Sequence, residues 1–167
     1  KGKVENVLDA LRAVANLPTS TQPPCWIGHD SQFDPLDMLA CPNGMLHIPT
    51  RAFHLKTPKL YTLNGLEFFY DPYAPEPTQW LKFLDSLWGN DPESITTLQE
   101  IFGYLLSPDT KLQKIIMLIG DKRSGKGLIG RIARRLIGTR NTCSPTLSSF
   151  GQPFGKQALI GKSLAII

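Results

Sequence analysis

Gly120-Asp121-Lys122-Arg123-Ser124-Gly125-Lys126 sets two glycines five residues apart and a lysine directly after the second. Ahead of it runs Lys114-Ile115-Ile116-Met117-Leu118-Ile119, a continuous apolar stretch rich in β-branched residues. Behind it, Ile129, Ile132, Ala133 and Leu136 recur on one side of a helical repeat, with Arg131, Arg134 and Arg135 on the other. The apolar run fits a parallel strand buried on both faces, and the repeat that follows fits an amphipathic helix. Strand, glycine loop and helix in that order point to an α/β nucleotide-binding sheet.

The pattern G-x-x-x-x-G-K has a physical basis. Gly120 lets the chain leave the strand, and Gly125 lets the backbone wrap closely around phosphates. Amides at the helix N-terminus then face the anion, where the helix dipole favours negative charge. Lys126 reaches the β- and γ-phosphates as a point charge. The candidate nucleotide-binding residues are Gly120, Asp121, Lys122, Arg123, Ser124, Gly125, Lys126, Gly127 and Leu128, and Lys126 is also the candidate catalytic residue. The expected ligands are ATP and Mg²⁺. In the full pattern a Ser or Thr follows the lysine and its hydroxyl helps hold Mg²⁺. Here Gly127 and Leu128 follow, and neither Ser124 nor Thr139 is placed by sequence to substitute. No metal ligand is therefore assigned in this chain.

Charge gathers around the same loop. The net charge is +4, yet residues 111–140 hold nine basic residues against the single acid Asp121. A basic cluster around a phosphate loop suits a polyanion, either nucleotide or nucleic acid. The competing reading is a solvated helix face beside one functional lysine, so no DNA-contacting residue is assigned. Hydrophobic residues make up 41% of the chain, enough to bury a core and to argue against wholesale disorder.

Upstream, Val4, Leu8, Leu11 and Val14 mark a helix over 3–15, broken by Pro18 and the run Thr19–Pro24. Met38–Ala40 and Met45–Ile48 flank Cys41-Pro42-Asn43-Gly44, and Asn-Gly between apolar runs predicts a hairpin because both residues tolerate positive φ. Leu66–Tyr70 reads as a further strand closed by Asp71-Pro72. Trp80, Phe83, Leu84 and Leu87 predict a helix ending at Gly89. Asp91 and Pro92 start another, with Ile95, Leu98, Phe102 and Leu105 inward, that stops before Pro108. These aromatics are read as core rather than as a platform for bases, since burial explains their spacing. Lys162–Ile167 is expected to be a second apolar strand.

Cys25, Cys41 and Cys143 form no C-x-x-C pair, and His29, His47 and His54 complete no metal spacing with them. Free thiols in a reducing cytoplasm, of a bacterium or a phage-infected host, are the simplest account. No signal peptide is visible and the longest apolar run is too short to cross a bilayer, so no membrane partner is expected. The chain starts at Lys1 and stops within Leu164-Ala165-Ile166-Ile167. The expectation is a segment of a longer protein, whose water-activating acid, sensor residue and arginine finger lie past Ile167. Such a segment would not turn over ATP by itself.

Several ordered elements resemble the helicase part of phage- and plasmid-type primase-helicases, superfamily-three helicases that include the poxvirus primase-helicase. They span residues 36–167: Asp37-Met38-Leu39-Ala40-Cys41-Pro42-Asn43-Gly44-Met45-Leu46, then Tyr70-Asp71-Pro72 with Pro77, Trp80 and Phe83-Leu84. Leu98–Leu106, Asp109–Lys114, Arg123-Ser124-Gly125-Lys126-Gly127 and Leu159–Ala165 continue the series. Some members carry Gly-Lys-Gly-Thr, so Leu128 is the sharper departure. The resemblance implies an ATP-driven ring, hexameric in the parent protein, that moves along single-stranded DNA during phage, plasmid or mobile-element replication, with a primase domain as a possible partner. It also implies that the main DNA-contacting loops follow the acidic strand.

The expected organisation is an N-terminal helix and linker over 1–35, a small mixed α+β domain of β-hairpin and α-hairpin over 36–110, and over 111–167 the first part of an AAA+-like parallel-sheet ATPase. Two other readings stand beside the motor. A nucleotide kinase would place the loop at the start of its domain, whereas here 119 residues precede Gly120. A nucleotide-gated assembly or adaptor module would account for the missing hydroxyl through lost hydrolysis.

Overall fold

The computed structural model describes residues 2–28, 31–109 and 111–167. His29, weighed above as a metal ligand, and Thr110, at the expected domain boundary, lie outside them.

Helix α1 (Gly2–Ala15) forms as its periodicity predicts, but buries no residue: Val4, Leu8, Leu11 and Val14 all stay exposed. A short strand β1 (Cys25–Trp26) follows. Next comes an antiparallel meander of β2 (Met38–Cys41), β3 (Gly44–His47) and β4 (Ala52–His54). Met38 pairs with His47 and Cys41 with Gly44 across the predicted hairpin, while Leu46 pairs with Phe53 on the other side. The turn residues are Pro42 and Asn43, so Gly44 belongs to the strand. Neither Asn43 nor Gly44 adopts positive φ. The glycine is needed for another reason: a Cβ there would lie 2.5 Å from the His54 carbonyl oxygen and from the Phe53 ring. Close approach of β4, not turn geometry, explains Gly44.

Strand β5 (Leu60–Tyr61) returns to pair antiparallel with β1. The predicted strand at Leu66–Tyr70 does not form. Leu66 is nevertheless buried, and its N–H donates to the Ala40 carbonyl at 2.8 Å outside any ladder. Burial of Leu66 needs no strand, and Phe68 and Phe69 stay exposed.

Helices α2 (Thr78–Trp88) and α3 (Pro92–Leu106) make the expected hairpin. Asp91 caps α3 by accepting from the Ser94 N–H and hydroxyl, and Pro92 opens the first turn, where it costs no hydrogen bond. Helix α4 (Lys126–Ile137) packs on α3 and shares a core with both helices. Leu84, Leu98 and Ile129, one from each helix, form a buried core with Trp80, Phe83, Leu87, Ile95 and Phe102 around it. Each such aliphatic side chain contributes about 1.5–3 kcal/mol by leaving water. A second core of Leu39, Cys41 and Leu66 takes in Leu106 from the end of α3, so the hairpin reaches both.

Strands β6 (Thr142–Cys143) and β7 (Leu164–Ala165) pair in parallel. This is a short form of the strand expected over 162–167, with a partner that periodicity did not reveal. The expected strand over 114–119 is corrected. Those residues carry no strand pairing, and Ile115, Met117 and Ile119 are exposed. A buried parallel strand needs neighbours on both edges, and β6 and β7 pair with each other instead. The architecture is accordingly a small mixed α+β one with four helices and small sheets among the described residues, not a clear parallel P-loop sheet.

Candidate functional site

The glycine loop runs straight into α4. Gly125 is the residue before the helix and holds a left-handed conformation at φ +82°. Arg123 is also left-handed, at φ +67°, an unusual state for a residue with a Cβ. Two left-handed positions two apart turn the chain tightly ahead of the first helical turn. Leu128 and Ile129 both donate their N–H to the Gly125 carbonyl. The amides ahead of them belong to the helix N-terminus and have no intrahelical carbonyl to use.

Lys126 folds back over the loop. Its ammonium donates to the Gly120 carbonyl at 2.7 Å, the Asp121 carbonyl at 2.6 Å and the Ser124 hydroxyl at 3.0 Å. An ammonium has three N–H groups, so its donors are all engaged. A phosphate oxygen arriving here would exchange for one of these acceptors, a neutral partner for a charged one, which strengthens the bond. Gly120 serves the same closure, since a Cβ on it would sit 2.9 Å from Ser124 Oγ.

The loop surrounds a concavity of about 420 Å³ lined by Gly120, Lys122, Arg123, Ser124, Gly125, Lys126 and Gly127. These are seven of the nine residues named from the sequence. Asp121 contributes its carbonyl, which accepts from Lys126 and from the Ser124 N–H. Leu128 is half-buried and does not line the space. Three cationic side chains at the mouth make it attractive to anions.

Metal chemistry fits less well. Gly127 and Leu128 offer no hydroxyl, and Ser124 Oγ already accepts from Lys126. Among the described residues no group of three or more His, Cys, Asp and Glu could hold an ion. The loop therefore lacks, directly after Lys126, the hydroxyl that the full pattern directs to Mg²⁺. Space is not the obstacle, since a Cβ on Gly127 would meet only Arg131 Nη1, at 3.8 Å.

Two contacts escaped sequence reasoning. Phe83 and Leu87 of α2 press on Gly125: a Cβ there would lie 2.8 Å from Phe83 Cζ and 3.2 Å from Leu87 Cδ1. Their helical spacing announced burial but not the partner. At the far end of α4, Asn141 is buried and donates to the carbonyls of Gly65 and Ile137. Glu67 nearby accepts from the Arg140 N–H and the Thr139 hydroxyl, and the Arg140 amide bond chiefly holds its carboxyl below the usual range. Arg131, Arg134 and Arg135 are exposed, on the opposite side of α4 from Ile129 and Ala133. Cys25, Cys41 and Cys143 are free thiols, and burial pushes that of Cys41 up, away from reactivity. No helix among the described residues is long and apolar enough to cross a membrane.

Comparison with known proteins places the chain in a family through its first 89 residues. An uncharacterized mitochondrial protein, ymf21, of Marchantia polymorpha is 30% identical over 110 residues, which cover 64% of this chain and 61% of that protein. The match thus spans less than two thirds of the relative. Residues 1–89 match the family described as D5 N terminal like, a stretch that includes the meander and all of α2. The chain therefore belongs to the D5 N terminal like family, a domain found in primase-helicases of the D5, superfamily-three type.

Proposed function

We propose that this chain is the nucleotide-phosphate-binding portion of an ATP-driven replicative DNA helicase of the primase-helicase type. The observation that carries the reading is the loop at the head of α4, where the left-handed Gly125 and the cationic side chains of Lys122, Arg123 and Lys126 line one concavity. Family membership supports it, because the D5 N terminal like domain accompanies such helicases. In this reading the loop amides and Lys126 hold the β- and γ-phosphates of ATP. A self-associated ring, single-stranded DNA and a primase domain are the partners proposed with it.

ATP hydrolysis by the full-length protein, with and without single-stranded DNA, tests the reading. Hydrolysis is expected to rise with DNA and to fall by at least about a hundredfold in Lys126→Ala, the scale of losing a principal charge-stabilising group. A second reading rests on the absent hydroxyl at Gly127 and Leu128: a nucleotide-gated assembly module that binds without hydrolysing. Nucleotide binding that needs Lys126, with no hydrolysis under any DNA condition, would replace the motor with that module.

A further inference from the structure

Phe102, Trp80 and Phe83 form a stack of rings that ends on the phosphate loop. The Trp80 and Phe102 centroids are 5.7 Å apart at 12°, and Trp80 and Phe83 are 5.5 Å apart at 27°. Beyond Phe83 comes the backbone of Gly125. That residue is the pivot of the loop: it is left-handed, it precedes α4, and its carbonyl accepts from the Leu128 and Ile129 N–H groups.

We propose that Phe83, assisted by Leu87, is a positioning residue for bound nucleotide phosphate, with α2 acting as the buttress that fixes the loop. The inference rests on the phosphate-binding reading above and adds the element that sets the loop's shape. Three observations support it. The ring leaves no room for a Cβ on Gly125, so ring and glycine are shaped to one another. The ring is fixed from behind by Trp80, which Phe102 fixes in turn, so it acts as a stop rather than a mobile cover. The same α2 face shares its core with Ile129 of α4, so loop and helix rest on one support.

Both residues fall within the segment matched to the D5 N terminal like family. That segment thereby touches the loop, and a shift of α2 would be felt at Gly125. Phosphate recognition depends on amides held to within a fraction of an ångström, so a loosened support weakens binding even where every liganding group remains.

The test compares Phe83→Leu, Leu87→Val and Phe102→Leu in the full-length protein, each titrated with ADP and with inorganic pyrophosphate. Phe102→Leu thins the same core without touching the loop, and thermal unfolding of each variant identifies pairs of matched stability. Phe83→Leu is expected to bind both probes roughly tenfold more weakly, as a loosened preorganised site should. Leu87→Val should show a smaller loss in the same direction, and Phe102→Leu, which reaches the loop only through Trp80 and Phe83, a smaller one still. Equal affinities for Phe83→Leu and wild type, or equal losses for Phe83→Leu and Phe102→Leu, would overturn the positioning role. Failure of wild type to bind either probe would instead remove the phosphate-binding reading, and the inference with it.

Discussion

A Cβ on Gly125 would lie 2.8 Å from Phe83 Cζ on a backbone at φ +82°, whereas one on Gly127 would meet only Arg131 Nη1 at 3.8 Å. The two glycines of one loop thus answer to different constraints. Gly125→Ala combines left-handed strain with overpacking and should lower stability by about 2–3 kcal/mol. Gly127→Ala enters the first turn of a helix without strain and should raise stability by about 0.5 kcal/mol through reduced backbone entropy in the unfolded chain. Urea unfolding of both variants decides this, and shifts of the same sign would refute the distinction. The G-x-x-x-x-G-K pattern singles out Gly125 from the sequence alone, because phosphate loops need a glycine there. It carries no hint of Phe83, which lies far upstream and whose helical spacing is satisfied by any apolar neighbour.

Among the elements, α2 and α3 match their sequence signals closely because those signals are local. Asp91, Pro92 and the apolar repeat act within a few residues of one another. The Ser94 hydroxyl, then the Ser94 amide, hold the Asp91 carboxyl below its ordinary value. A lowered folded pKa means that the cap's charge stabilises the fold above the unfolded value and is lost as pH falls through the folded one. The stability difference between wild type and Asp91→Ala, read from urea unfolding, should be full at about pH 6 and shrink toward about pH 3. A difference that stays constant over that range would rule out a charged cap. Strands fared less well for a related reason. Residues 114–119 have the composition of a buried strand, but composition cannot supply the neighbouring edges that make one. The two-residue strands β1, β5, β6 and β7 are too short to show a period, so only pairing across the chain reveals them.

At the scale of the molecule, Asn141 joins three parts of the chain. Its side-chain amide donates to Gly65 at 3.0 Å and Ile137 at 2.9 Å, and its own carbonyl accepts from Ser163 and Leu164. The irregular segment after β5, the end of α4 and the approach to β7 therefore meet at one residue. Asn141→Ala leaves both carbonyl partners short of a donor and should cost about 1–3 kcal/mol. The loss is expected to appear as a lower urea midpoint and as faster amide exchange at Ser163 and Leu164. Unchanged exchange there would show that the β6–β7 pair stands without this junction.

Sequence alone determined the tight glycine loop ahead of α4, the three helices α2, α3 and α4, and the β2–β3 hairpin. In each case the controlling interactions lie within a turn or two of chain, and capping residues, glycine spacing and periodicity record them directly. The tertiary structure decided which surfaces met. It set Phe83 against Gly125, β4 against Gly44 and Asn141 between Gly65 and Ile137, and it left Ile115, Met117 and Ile119 exposed. The physical reason is that an apolar side chain encodes the need for a neighbour but not its identity, because the hydrophobic effect has no direction.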